Sequence, residues 1–448
     1  MKDEILEMIH AGSIDMAKVK NIFSRPQMNT VDIAEIFENL DREKIVQLFR
    51  ILPKSTAADV FAHMDADQQQ LTVESLTDTE LGEIMNGLFV DDVVDFIEEM
   101  PANVVKRVLQ NVQNEKRKTI NQLLQYPDDS AGSIMTTEYI DLLANATVQE
   151  AFDVIRKTGL NKETIYTCYV MRWDRLLVGV VSAKTLMLAR PQDKIGDIMD
   201  TNMVFAYTTD DQEAVAALFK KYDLLAMPVV DKEKRLVGII TIDDIVEVIE
   251  EENTEDFEKM GALNPSGEPY LKTSIIRLAR NRIIWLLVLM LSATVTGGVI
   301  SSFEQSLAVL PVLVAFIPML MDTGGNAGSQ SSTLIIRGMA VGEIALKDII
   351  KVIWREVRIG TLCGIALGLV NFIRIYLMNG RDLLLSAAVT VSLFCTILMA
   401  KSVGCMLPML AKKLKIDPAI MAAPLITTIV DGASLVVYFS IAKLVFNL

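Results

Sequence analysis

PLITTIVDGASLVVYF, residues 424–439, puts one carboxylate, Asp431, in the middle of a run otherwise suited to hydrocarbon. An isolated charge at mid-bilayer costs at least ~2.5 kcal/mol, so the acid is expected to have a partner or a task. The same run carries Thr427, Thr428 and Ser434, and Asp431 lies one helical turn beyond Thr427. Oxygen ligands of this kind suit a hard cation. Magnesium sheds its water reluctantly and is commonly held by one or two carboxylates through retained water, so one acid per chain suffices if a twofold axis sets a second copy opposite. A proton relay between two nearby carboxylates is the competing reading.

The chain around this run is divided in character. It has 448 residues, 51% hydrophobic and 22% charged, with a net charge of −14. From Lys272 onward the net charge is +8, and before it −22. An acidic soluble part is therefore joined to a membrane part. The acidic part argues against nucleic acid as a partner, because phosphates call for Lys and Arg, and favours cations. The four cysteines, Cys168, Cys363, Cys395 and Cys405, show no framework spacing and read as reduced. With only His10 and His63, a zinc or copper site is not expected. The start, MKDEILEMIHAG, has no apolar signal core. No Walker-type loop occurs, and no enzyme activity is expected.

Five segments, 283–303, 310–336, 360–378, 384–410 and 419–446, are long enough to span a bilayer. Arg277, Arg280 and Arg282 precede the first. Arg337, Lys347, Lys351, Arg355 and Arg358 fall between the second and third, and Lys412, Lys413 and Lys415 between the fourth and fifth. The other loops carry Arg381 and little else. The positive-inside rule then sets the acidic N-terminal half in the cytoplasm and the C-terminus outside, in a multi-pass cell (inner) membrane protein. The second span contains PMLMDTGGNAGSQSSTLIIRG, residues 318–338. Small residues there favour close helix packing. The density of glycine and amide around Asn326 also predicts an interrupted helix, tolerated where it lines a water-filled path.

Up to about Gln125 the soluble part reads as short amphipathic helices, with LPKSTAADVF, LTDTELGEIM and MPANVVKRVL recurring every 24 residues or so from Leu52, Leu76 and Met100. Asp91 and Asp95 share a helix face at i, i+4, either as a solvated face or as an acid pair that needs neutralising. A second repeat follows: the unit from Ile134 is echoed from Ile198, with LVGVVS answering LVGIIT about 60 residues on. Each unit is expected to run extended start, helix, strand, turn, strand, helix. The pair resembles tandem CBS domains, modules that often bind adenosine nucleotides. Asp243 and Asp244 follow the second glycine strand, but Thr185 stands where the first unit would need an acid to hold a ribose. Residues 243–258, DDIVEVIEEENTEDFE, then hold nine acids and no base. Such a helix repels itself and either points into water or meets cations.

Together, the helical start, the CBS-like pair, the acidic connector and the motifs TGGNAGSQSSTLIIRG and PLITTIVD resemble the MgtE family of magnesium channels along essentially the whole chain. The resemblance implies a multidomain α+β soluble part and an all-α membrane part. These divide into a helical N-domain (1–128), CBS domains (129–190 and 191–250), a connecting plug helix (251–271) and a five-helix transmembrane domain (272–448). It implies a homodimer in a lipid bilayer with its pore on the twofold axis, shut when cytosolic Mg2+ binds the acidic surfaces, and ATP as a possible ligand of the CBS pair. Carried over by position, Asp431 and Asp417 match pore cation positions, with Asn326, Thr427 and Thr428 as pore-lining candidates. Asp59, Asp91, Asp95, Glu213, Asp223, Asp244, Glu247, Glu252, Glu255 and Asp256 match regulatory ones. Asp59 stands where glutamate is usual, Asp322 where a small residue is expected, and Ser133 replaces a second glycine. A proton-coupled divalent carrier and a membrane-anchored nucleotide sensor are the alternatives.

Overall fold

The structure, a computed structural model, describes residues 5, 16–23, 25, 28–37, 40–265, 270–271, 273–378, 380, 382–421 and 423–447. His10, Lys272, Arg381 and residues 266–269 of the connector lie outside the described residues. Two compact units divide at Ile249/Glu250.

In the first unit the helical part advances in steps of twelve. N-caps fall at Asp41, Pro53, Asp65, Thr77, Phe89, Pro101 and Gln113. The 24-residue period of the sequence is thus two helices. Asp41 accepts from the Lys44 amide, Asp65 from Gln68 and Thr77 from Glu80, so each start satisfies an otherwise orphaned N–H. The inward faces meet along a ladder of rings, Phe23–Phe37–Phe49–Phe61–Phe96, with centroids 6.3, 6.3, 6.5 and 5.2 Å apart. Each inclined ring pair adds about 0.5–1.5 kcal/mol to the burial itself.

The repeat pair forms two three-stranded sheets of identical topology. Asp141–Leu143 pairs parallel with Thr167–Met171, which pairs antiparallel with Leu177–Ser182. Ala206–Tyr207, Ala226–Val230 and Leu236–Thr241 repeat the pattern. The expected element order holds in both units, but their extended starts are exchanged. Thr136, at the start of the first repeat, bonds reciprocally with Ile239 of the second sheet (2.8 and 2.9 Å). Asp200, at the start of the second, does so with Val180 of the first sheet (2.9 and 2.8 Å). The LVG glycines permit this approach: a Cβ on Gly238 would lie 2.8 Å from the Thr136 carbonyl oxygen, and one on Gly179 2.9 Å from that of Asp200. The last strand feeds directly into one helix, Ile242–Met260. The expected domain boundary at 250/251 therefore falls inside an unbroken helix.

In the second unit, the described residues form five long helices: Ile275–Ser302, Ile317–Ala340, Ile349–Met378, Leu383–Lys413 and Ala423–Phe446. Four segments, Ile275–Ser302, Leu346–Met378, Leu383–Lys413 and Pro424–Phe446, are long and apolar enough to cross a membrane. The glycine-rich helix Ile317–Ala340 falls short only through its small and polar residues. It also begins later than the expected 310, after a short helix, Glu304–Val309, and a 3-10 turn, Pro311–Phe316. The expected interruption at TGGN is absent, because the helix runs unbroken from 317 to 340. Its glycines instead admit neighbours. A Cβ on Gly324 would lie 2.8 Å from Ser434 Oγ, and one on Gly325 2.8 Å from Thr427 Cγ2. Gly404, on Leu383–Lys413, presses on the Gly328 carbonyl, where no Cβ would fit.

Candidate cation sites

In the first unit, helix Val90–Glu99 brings Asp91 and Asp95 to one face, beside the start of helix Ile242–Met260. Asp91 is buried, and its Oδ1 has no hydrogen-bond partner among the described residues. Burial first, then the neighbouring charge of Asp244, pushes the Asp91 carboxyl well above the usual carboxylate range. Asp95 lies among the same groups and is raised too, by the protein packed around it and by Asp244, Asp92, Glu98 and Glu247, although its side chain opens to solvent. Asp244 accepts from Thr241 Oγ1 at 2.8 Å, yet burial and then Asp243 and Glu247 still carry it to about 7. Sequence reasoning missed Glu163. Its Oε2 is buried with no hydrogen-bond partner among the described residues, and burial with Asp243, Asp92, Asp244 and Glu138 raises it to about 8. It is a lone acid before a strand, and nothing in the sequence signals its neighbours. Lys116 is a cation within reach of this group, but it is tied to the backbone, donating to the Met85 (2.9 Å) and Leu88 carbonyls.

Such a cluster is poised for a hard dication, which would relieve both the repulsion and the unmet lone pairs. Among the described residues no three acidic, histidine or cysteine side chains converge tightly enough to ligate one metal ion directly. Contact through retained water is the mode magnesium favours. The structure does not bring every candidate here. Asp59 is exposed on helix Lys54–Ala62. Glu213 and Asp223 are exposed at opposite ends of helix Gln212–Tyr222, Asp223 as a left-handed C-cap.

In the second unit, the end of the connecting helix carries Glu252, Glu255, Asp256 and Lys259. Lys259 Nζ donates to Glu255 (2.5 Å) and to Asp417 (2.7 Å), and Asp417 also accepts from the Ala419 amide at 2.8 Å. Asp256 is raised by burial and then by Asp417, against the opposing charges of Lys259 and Arg337.

Deeper in the long helices, Asp431 sits half-buried on Ala423–Phe446, its Oδ1 buried with no hydrogen-bond partner among the described residues. The charged group acting on it is Asp322 of the glycine-rich helix. That helix buries Gly324, Gly325, Ala327, Gly328, Ser331 and Ser332. Its other face exposes Asp322, Asn326, Gln330, Thr333 and Arg337, spaced as one helical stripe. Polar side chains at membrane depth do not face lipid; they face protein or a water path. Thr427 reaches Ser329, hydroxyl to hydroxyl, at 3.4 Å. Thr428 instead turns back to the Pro424 carbonyl (3.0 Å), so its hydroxyl is engaged within its own helix.

The sequence matches three family profiles: MgtE, described as a divalent cation transporter, over residues 317–441; the MgtE intracellular N domain over 28–129; and the CBS domain over 195–251. It is 35% identical over 422 residues to the magnesium transporter MgtE of Thermus thermophilus, covering 93% of each chain. The chain belongs to the MgtE family. The magnesium transporter MgtE of Bacillus subtilis is 34% identical over 421 residues, 93% of this chain and 92% of that one. The cytosolic domain of the Mg2+ channel MgtE in complex with ATP superposes with a TM-score of 0.52 at 31% identity, covering 55% of this chain and 100% of that domain. The MgtE N-domain match contains Asp91 and Asp95, and the transporter match contains Asp322, Asp417 and Asp431.

Proposed function

We propose that this chain is a magnesium-selective channel that takes Mg2+ into the cell and is shut by cytosolic Mg2+. The observation that carries the reading is the pairing of Asp431, an acid with an unmet oxygen inside a membrane helix, with the polar stripe from Asp322 to Thr333 on its packing neighbour. An exposed stripe of this kind calls for water or a second copy beside it. A homodimer with the stripe along its seam answers both, and it sets two Asp431 carboxylates about a hydrated dication. An inside-negative potential favours entry of a dication by ~4.6 kcal/mol per 100 mV. The orientation that follows from the basic loops sets the N-terminus in the cytoplasm and the C-terminus outside, in the cell membrane.

Regulation rests on the two acidic groups described above. Each is held together against its own repulsion. Magnesium bridging Asp91, Asp95, Asp244 and Glu247, with Asp59, Glu213 and Asp223 on adjoining surfaces, would favour the compact form. The same ion at Glu252, Glu255, Asp256 and Asp417 would hold the plug helix. Several weak sites supply the ~5.5 kcal/mol of differential affinity a near-complete switch requires. ATP at the CBS pair is supported by the likeness to the ATP-bound cytosolic domain. Against a ribose contact, Thr185 is engaged with Ser182 as a helix cap (2.9 Å between hydroxyls), and Asp244 with Thr241.

Ion flux into vesicles holding the reconstituted chain, at several set potentials and stepped Mg2+ on the N-terminal side, tests the proposal. Uptake that follows voltage and falls as that Mg2+ rises supports it. Uptake that follows a pH gradient and ignores voltage makes the protein a proton-coupled carrier instead.

A further inference from the structure

Two charged side chains inside the long helices belong to none of the groups above. Glu356, on Ile349–Met378, is 6% exposed, and Lys401, on Leu383–Lys413, is 5% exposed. Both meet Ser331 of the glycine-rich helix, which is 1% exposed. Ser331 Oγ donates to Glu356 Oε2 at 2.6 Å, Lys401 Nζ donates to Ser331 Oγ at 3.4 Å, and the two charges are 4.0 Å apart. Three helices thus converge on one hydroxyl. An apolar trio of similar volume would hold them together as well or better, so a buried ion pair points to geometry or charge rather than to cohesion.

The geometry is that of a rotational stop. One turn before Ser331, the Gly328 carbonyl is in contact with Gly404, which fixes the distance between the two helices but not their rotation. Anchoring Ser331 adds the missing constraint. The same turn carries Ser329, which reaches Thr427, and Ser332, whose hydroxyl donates to the Met421 carbonyl at 2.8 Å. At roughly 4 Å from a helix axis, a 20° rotation moves an oxygen about 1.4 Å, enough to break such contacts. The charge has its own consequence. Lys401 is a fixed positive charge within a domain that passes cations, and Glu356 cancels it.

We infer that Glu356 and Lys401 are positioning residues for conduction: a neutral clamp on Ser331 that sets the rotation of the glycine-rich helix and hides the Lys401 charge from the passing ion. This rests on the conduction reading above. The test is Mg2+ flux through the full-length chain in vesicles, with Glu356→Gln, Lys401→Met, their combination, and Ser331→Ala. Gln keeps an acceptor for Ser331 and removes the charge, so Glu356→Gln is expected to lower flux at least tenfold. Adding Lys401→Met removes the bare cation and is expected to restore flux to within about threefold of wild type. Ser331→Ala keeps both charges and is expected to change the Mg2+:Ca2+ flux ratio severalfold without loss of the assembled protein on size exclusion. Wild-type flux in Glu356→Gln, or a double variant that assembles but stays as impaired as Glu356→Gln, overturns the inference. If Glu356→Gln does not assemble, the neutral double variant carries the decision: it assembles and conducts, or the clamp is wrong. Asp431→Asn in parallel separates the two readings, since conduction through that variant refutes the pore assignment and leaves the charge rescue to be judged alone.

Discussion

Lys259 Nζ lies 2.7 Å from Asp417 and 2.5 Å from Glu255, so one ammonium ties the end of the connecting helix to the turn before the last long helix. Under the proposed latch, a divalent ion would compete with this ammonium for the same two carboxylates. Lys259→Gln is expected to leave the connector, residues 253–269, more open to protease in EDTA, and to lower the Mg2+ needed for protection. Equal cleavage of variant and wild type in EDTA would remove the bridge from the account.

Asp431→Asn should reduce Mg2+ flux by at least about a hundredfold while the protein still assembles, since it removes the charge of an acid whose oxygen has no partner among the described residues. Asp322→Asn, altering the acid that acts on it, should cost less, about three- to tenfold. Reconstituted flux at matched protein density measures both.

The raised carboxylates of the first unit give a signed pH dependence. Glu163 (about 8) and Asp244 (about 7), both partly buried, hold protons in the folded chain that the unfolded chain releases near pH 4. The folded state binds more protons between these values, so stability falls as pH rises from about 4 to about 8 and levels off above. Calorimetry in EDTA should show the first-unit transition at least about 3 °C lower at pH 8 than at pH 5. Millimolar Mg2+ should flatten that difference, because a bound dication favours the ionised form.

Gly404→Ala puts a methyl into the Gly328 carbonyl, and overpacking of this kind costs about 1–3 kcal/mol or more. Gly297→Ala meets nothing within 4 Å among the described residues and serves as the control. Thermal melts of the detergent-solubilised proteins should separate the two by several degrees.

How much of this was legible in the sequence follows from the range of each interaction. The helix starts at Asp41, Asp65, Phe89 and Gln113 were passed over. Every second helix start, between these, the strand repeat and Asp431 were readable, because caps, periodicity and a lone intramembrane acid are local signals. The exchanged starts of the repeats were not, since Thr136 and Ile239 meet only in the folded pair. Glycines at 324, 325 and 328 suggested a broken helix because their packing partners, on two other helices, are invisible along the chain. Glu356 and Lys401 carry no signal along the chain, because Ser331, which joins them, lies on a third helix. Asn326 is exposed, on the polar stripe, but Thr428 shows the limit of motif transfer: its hydroxyl is spent on its own backbone.

The reciprocal exchange between the two sheets has a consequence for how the chain is born. While the ribosome is still making the second repeat, Thr136 has no strand to bind, and Val180 waits for Asp200. The first sheet is completed once Asp200 emerges, whereas Thr136 waits for Ile239 near the end of the second repeat, so the second sheet closes last. A nascent chain stalled between the two would present unsatisfied backbone to chaperones and proteases.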